Sequence, residues 1–239
     1  MARKFAVWGS AGSGKTTFAV SFATALAYRN CMVGLVSSNL QHGDIQVFFG
    51  QTIFEDKGTF PALMETEVNV REKFWKAGLP GNDNLFILAV ANGYDGLLAD
   101  NVTGDMVKAL YESCDIIFDY LVIDCCTDIN NGISSIGLTV ADKVLTLHKP
   151  SIAANLWHAS CGMLRGYLGI DVKNLDILCR LNDCHPSMLD VTGISFKHAL
   201  PRVKLAPACE NEGKPLYIVD TGECKAYAKA VDKLCSKIC

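Results

Sequence analysis

Six short apolar runs recur along the chain: Phe5–Trp8, Cys31–Val36, Leu85–Val90, Tyr120–Asp124, Lys143–His148 and Leu175–Cys179. Each has the length of a strand, and runs this apolar suit strands covered on both faces. A seventh, Arg202–Leu205, reads as the last strand before Pro207. Helical patterns separate them: Thr16–Tyr28, small and apolar over much of its surface, then Val102–Cys114, Ile152–Tyr167 and Glu223–Ile238. In the last of these, Tyr227, Val231, Leu234 and Ile238 share one side. Residues 50 to 82, punctuated by Gly58, Pro61, Gly78, Pro80 and Gly81, read as a less regular excursion with short helices. Alternating strands and helices predict an α/β fold, a mostly parallel β-sheet with helices on both faces.

One junction carries chemistry. Between the first strand and the first helix the chain reads Gly9-Ser10-Ala11-Gly12-Ser13-Gly14-Lys15-Thr16-Thr17, and Gly9, Gly14, Lys15 and Thr16 satisfy the G-x-x-x-x-G-K-[ST] pattern. Glycines let the backbone turn its N–H groups inward, and the helix start adds roughly half a unit of positive charge, so the turn suits a polyphosphate. Lys15 is placed to bridge the outer phosphates and Thr16 to offer its hydroxyl to Mg²⁺. The second half of such a site is an aspartate at the tip of an apolar strand, and Asp124 ends Tyr120–Asp124. The segment Ser37–Asp44 follows the second strand at its carboxyl end, where sheets of this kind place ligand contacts.

Length and composition narrow the picture. The 239 residues, half of them hydrophobic and without a low-complexity tract or linker, fit one domain over 1–239. A net charge of −3 gives no strong nucleic-acid signal. The eleven cysteines include no C-x-x-C pair, and their odd number favours reduced thiols in a cytoplasmic protein over a disulfide framework or a metal cluster. No run reaches membrane-spanning length. Lys225, Lys229, Lys233 and Lys237 recur every four residues. That stripe reads as a solvated face, with peripheral contact to acidic lipid, DNA or a partner as the alternative.

Taken in order, several segments resemble the MinD/ParA class of P-loop (SIMIBI) ATPases, and within it the CpaE/TadZ pilus-assembly proteins. They are the loop itself, Leu40–Gly50, Asp119–Asp124, Ala141–Pro150, Cys179–Asn182, and Asn211–Pro215 with the final helix. The resemblance implies ATP/ADP and Mg²⁺ as cofactors, adenine recognition by Asn182 and the stretch around Pro207, and a nucleotide-dependent homodimer. It further implies partners in a Flp/type IV pilus secretion apparatus at the inner face of the membrane. A ParA- or MinD-type segregation or division-site ATPase and a metallocofactor-maturation ATPase are the alternatives.

Three departures bear on catalysis. The second lysine that such loops carry near their start is replaced by Ser10, and the aspartates that end strand 2 are replaced by Ser37 and Asn39. The segment after Asp124, rich in proline and glycine in the family, reads Cys125-Cys126-Thr127-Asp128. A cation on the transferring phosphoryl group contributes roughly 10³ to 10⁵ in rate, and a positioned base roughly 10² to 10⁴. Neither is needed to bind nucleotide in the ground state, so the expectation is ATP binding with weak or absent hydrolysis. Lys15 and Asp124 are then the candidate catalytic residues, and Asp44 or Asp128 the candidates for a replacement carboxylate.

Overall fold

The computed structural model describes residues 1–94, 96–179, 193–194 and 196–239. Among the described residues, eight strands form one sheet: β1 (Arg3–Gly9), β2 (Val33–Ser37), β3 (Trp75–Lys76), β4 (Leu85–Leu88), β5 (Tyr120–Asp124), β6 (Lys143–His148), β7 (Asn174–Cys179) and β8 (His198–Leu200). Their order is β3-β4-β2-β5-β1-β6-β7-β8, parallel except for β3, which pairs antiparallel with β4 at the edge. The expected α/β sheet is present, with β1 at its centre.

Alternate residues of each strand serve two cores. Phe5 and Val7 of β1, with Val122, Leu145 and Leu147, pack on the face covered by α1 (Lys15–Ala27). Ala6 and Trp8, with Leu121, Ile123 and Val144, pack on the other. There they meet Val107 and Leu110 of α4 (Gly104–Ile117), and Ile133 and Leu138 of α5 (Gly132–Val140). The short α2 (Thr59–Leu63) and α3 (Glu67–Lys73) add Leu63 and Val70 to this second layer. Burial on both sides explains why the strands are apolar runs rather than alternating patterns.

Helix α1 is enclosed because α9 (Gly222–Ile238) lies beside it and adds Tyr227, Val231, Leu234 and Ile238 to the same core. A helix buried this far around must be apolar on nearly every side, which Phe18 to Ala27 supply, with Ser21 and Thr24 bonded back to their own helix's carbonyls.

Two expectations need correction. The reading of Ile152–Tyr167 as one helix gives way to α6 (Ile152–Ser160) and α7 (Gly162–Tyr167). The break is at Cys161, whose amide divides its hydrogen bond between the carbonyls of Trp157 and His158 at 3.1 and 3.2 Å, just before a glycine that weakens helix continuation. The last strand is His198–Leu200, not Arg202–Leu205, which instead leads into α8 (Ala206–Asn211). Pro201 follows Leu200 directly and has no N–H to continue the ladder.

Candidate functional site

Chain direction reverses around β1. The chain leaves it toward β2 on one side and, after β5, continues to β6 on the other, so the carboxyl end of β1 opens a crevice at a topological switch point. The glycine-rich loop occupies that crevice. Its shape depends on Gly9, Gly12 and Gly14, with φ of 154°, 66° and 83°. At Gly9 a Cβ would lie 2.5 Å from the Leu147 carbonyl oxygen and 2.9 Å from Ser13 Oγ, so no side chain fits.

Helices α4, α5, α6 and α9 are capped by the side chains of Thr103, Asn131, Ser151 and Thr221. Helix α1, like the shorter α2, α3, α7 and α8, has no side-chain cap; it begins at Gly14, and its first amides suit an external acceptor. The buried hydroxyls of Ser10 and Ser13 have no partner either.

The structure brings Thr16 and Asp124 together: Thr16 Oγ1 donates to Asp124 Oδ2 at 2.7 Å. Asp124 is 5 % exposed, and its other oxygen, Oδ1, has no hydrogen-bond partner. Lys15 Nζ donates to the Ser10 carbonyl at 3.1 Å and to Thr127 Oγ1 at 2.9 Å, and Thr127 Oγ1 in turn donates to the Gly9 carbonyl at 3.1 Å. Burial pushes the Asp124 carboxyl up to about 7; the Thr16 hydrogen bond opposes this, Asp44 adds to it, and Lys15 opposes it again. Burial likewise lowers the Lys15 ammonium, against the attraction of Asp124. Both charges are thus incompletely compensated, as expected of a site built for a charged ligand.

Beside the loop lies a cleft of about 480 Å³ bordered by Gly12, Lys15, Thr16, Thr17, Asp44 and Glu210. It adjoins a smaller apolar pocket of about 140 Å³ that shares Gly14, Thr17 and Glu210 and is walled by Cys179, Leu200, Val203, Pro207, Leu216 and Tyr227. Ala11 and Gly12 sit exposed at the tip of the loop. Pro207 enters the smaller pocket from the first turn of α8. Asn182 lies outside the described residues.

The segments after β2 and β5 are tied together. Ser38 Oγ donates to the Asp124 carbonyl at 2.8 Å and accepts from the Cys126 amide at 2.7 Å and from Ser134 Oγ at 2.8 Å. Asn131 Nδ2 donates to the Ser38 carbonyl. These bonds link the two segments to each other and to the start of α5. Burial raises the thiols of Cys125 and Cys126, which keeps them protonated.

Sequence reasoning missed three residues. Thr127 belongs to a segment that reads only as a departure from a pattern, yet its hydroxyl holds Lys15. Glu210 accepts from Thr17 Oγ1 at 2.6 Å across 193 positions of sequence, and no local signal announces it. Lys149 lies close to the loop, its Nζ 3.9 Å from where a Cβ on Gly12 would stand. Among the described residues, no three His, Cys, Asp or Glu side chains are grouped to hold a metal ion, and no helix is long and apolar enough to cross a membrane.

A central parallel sheet with this loop after its first strand defines the fold of the MinD/ParA-type P-loop NTPases. Individual structures make the likeness concrete. The septum site-determining protein MinD of Pyrococcus horikoshii, complexed with Mg-ADP, superimposes with a TM-score of 0.78 and 17 % identity, over 98 % of this chain and 96 % of that one. A ParA family ATPase of Chlorobium tepidum gives 0.80 and 16 %, over 97 % of each chain. The ATP complex of a McdA variant from Cyanothece gives 0.72 and 17 %, over 97 % and 96 %. No protein-family model and no curated protein matches the sequence.

Proposed function

We propose that this chain is an ATP-binding switch of the MinD/ParA kind, a positioning or assembly factor rather than a metabolic enzyme, with Mg²⁺ as cofactor and weak or absent hydrolysis. The observation that carries the reading is Asp124, buried at the foot of an uncapped glycine cradle, bonded to Thr16 through one oxygen and unpartnered at the other. An orphaned buried carboxylate oxygen beside a threonine hydroxyl fits a divalent cation, and an uncapped helix start beside a half-buried lysine fits phosphates.

The triphosphate would lie over Gly12–Thr17, with Lys15 on its outer phosphates, Thr16 and Asp124 holding Mg²⁺, and the adenine in the apolar pocket beside Pro207. Bound Mg²⁺ would neutralise charge on the outer phosphates. Thr127 and Ser38 supply the switch. Lys15 holds Thr127 when no phosphate competes for it, and Ser38 couples that change to the segment after β2. Those segments would then present or hide a surface for a second copy of the chain.

Weak hydrolysis follows from the same residues. Ser10 offers no charge at the start of the loop, and Ser37 and Asn39 offer donors where a water-positioning carboxylate belongs. The fold likeness supports the general reading; partners in a pilus apparatus rest on the sequence resemblance of Leu40–Gly50 and its companions to CpaE/TadZ proteins.

Calorimetric titration with ATP and ADP, paired with light-scattering mass in each state, tests the proposal. Tight ATP binding with a change of mass supports a switch, whereas no binding of either nucleotide defeats it.

A ParA- or MinD-like role on DNA or lipid is favoured by one feature. Lys229, Lys233 and Lys237 are exposed on α9 without an ion-pair partner among the described residues, while Lys225 pairs with Asp220. ATP-dependent sedimentation with DNA or anionic vesicles, lost in Lys229→Glu/Lys233→Glu, would establish that reading.

Glu210 makes a separate prediction. Its carboxylate borders the cleft and occupies the Thr17 hydroxyl, and a like charge some 5 Å from a phosphate costs about 1 kcal/mol even in a water-like dielectric. Glu210→Gln keeps an acceptor for Thr17 and removes the charge, so it is expected to tighten ATP about fivefold in the same titration.

A further inference from the structure

The strand-end residues Ser37 and Asn39 both donate to one loop carboxylate. Ser37 Oγ reaches Asp44 Oδ1 at 2.8 Å, and Asn39 Nδ2 reaches Asp44 Oδ2 at 3.1 Å. The orientation of the Asn39 amide is set from its other end, since its Oδ1 accepts from the Gln41 amide at 3.1 Å. Each Asp44 oxygen keeps acceptor capacity beyond the one bond it makes.

Asp44 borders the same cleft as Lys15 and Thr16. Ser37 is also the register partner of Asp124 on the neighbouring strand, so the donor that holds Asp44 stands beside the buried carboxylate. Asp124 Oδ1 is buried there without a partner. Lys15, the cation on this cleft, is engaged by Ser10 and Thr127. Asp44 and Glu210 border this cleft, with Asp124 behind Thr16, and carboxylates so grouped repel unless a cation separates them. Asp128, the other loop acid that a sequence reading offers, is exposed and accepts from the Asn130 amide at 3.0 Å, closing its own turn.

We propose that Asp44 is a second carboxylate for the Mg²⁺ of a bound nucleotide, in addition to Asp124 and acting through the ion's retained waters, with Ser37 and Asn39 as the positioning residues that aim it. The inference rests on the nucleotide reading above. Mg²⁺ gives up its water reluctantly and is held by one or two carboxylates plus phosphate, so a carboxylate that binds its hydration shell is an ordinary way to complete such a site. Where other loops carry the acid on the strand end, this chain carries donors there and the acid seven residues further on.

The test is the ratio of ATP affinities measured by calorimetry in saturating Mg²⁺ and in EDTA, for the unaltered chain, Asp44→Asn and Ser37→Ala. Loss of a residue that orients an ion's ligands lowers metal affinity roughly 10- to 100-fold. Asp44→Asn is expected to lose at least about tenfold of the Mg²⁺ enhancement, while its affinity in EDTA holds or rises, because a negative charge has left the cleft. Ser37→Ala is expected to move the same way by less. A residue that only supports the loop would weaken ATP equally in both media.

An unchanged ratio in Asp44→Asn overturns the proposal, and if that variant does not fold, an unchanged ratio in Ser37→Ala does so. ATP binding that is indifferent to Mg²⁺ in the unaltered chain overturns the cation role of Asp44 and Asp124 and leaves only phosphate binding by the loop standing. No ATP binding in either medium overturns both.

Discussion

Asp124→Asn is expected to stabilise the nucleotide-free protein near pH 8 by up to roughly 4 kcal/mol and to gain less stability than its parent from saturating Mg-ATP. The buried carboxyl is raised from 3.8 to about 7, and a tenfold change in proton affinity corresponds to about 1.36 kcal/mol. The sign follows from proton counts. Between the unfolded value and the folded one, the folded chain holds a proton that the unfolded chain has released. Stability therefore falls as pH rises through that window, and the full cost is present above it.

Asparagine carries no charge to bury, and its amide oxygen still accepts from Thr16. The variant should lose the downward slope between about pH 4 and 7. For a chain of this size each kcal/mol is worth about 2–4 °C in Tm, so calorimetric melting at both ends of the window resolves the effect. Saturating Mg-ATP should then raise the Tm of the unaltered protein more than that of the variant. A variant less stable than its parent at both pH values would show that Asp124 is a structural cap rather than a carboxylate kept at a cost for a ligand.

Lys15→Ala is expected to weaken ATP binding by about 100-fold or more. Truncating one member of a buried, hydrogen-bonded charge pair costs about 2–5 kcal/mol, and Lys15 is the loop's cation. Its ammonium is held by one carbonyl and one hydroxyl, neither carrying a full charge, so burial depresses it. A polyphosphate would supply the missing negative charge and draw Lys15 away from Thr127. Lys15→Arg keeps the charge but presents a planar fork in place of a compact ammonium, and should recover only part of the loss. Titration of the three proteins with Mg-ATP checks this; equal affinities would remove the loop from nucleotide binding altogether.

The two variants probe different parts of one arrangement. Asp124 lies at the end of β5 and Lys15 at the start of α1, far apart in sequence. They meet because β5 is the hydrogen-bonded neighbour of β1, with Val7 opposite Asp124 in the register. That adjacency also places Ser37 opposite Asp124 on the other side, which is how a loop acid, a strand acid and the glycine-rich turn come to lie close together.

The amino-acid sequence alone determined the alternation of strands and helices, the glycine cradle and the acid at the tip of β5, because each depends on local chemistry. Apolar runs must be buried, φ values near 66° and 83° demand glycine, and G-K-T reads the same wherever it lies. It was blind to the break at Cys161 and to the end of the ladder at Leu200, where a divided amide bond and a neighbouring proline outweigh the apolar pattern. Only the tertiary structure decided which side chains answer one another: Thr127 with Lys15, Glu210 with Thr17, Ser37 and Asn39 with Asp44. Hydrogen bonds act over about 3 Å, and which groups come that close is settled by the order of strands in the sheet, a property of the packed chain that no stretch of it contains.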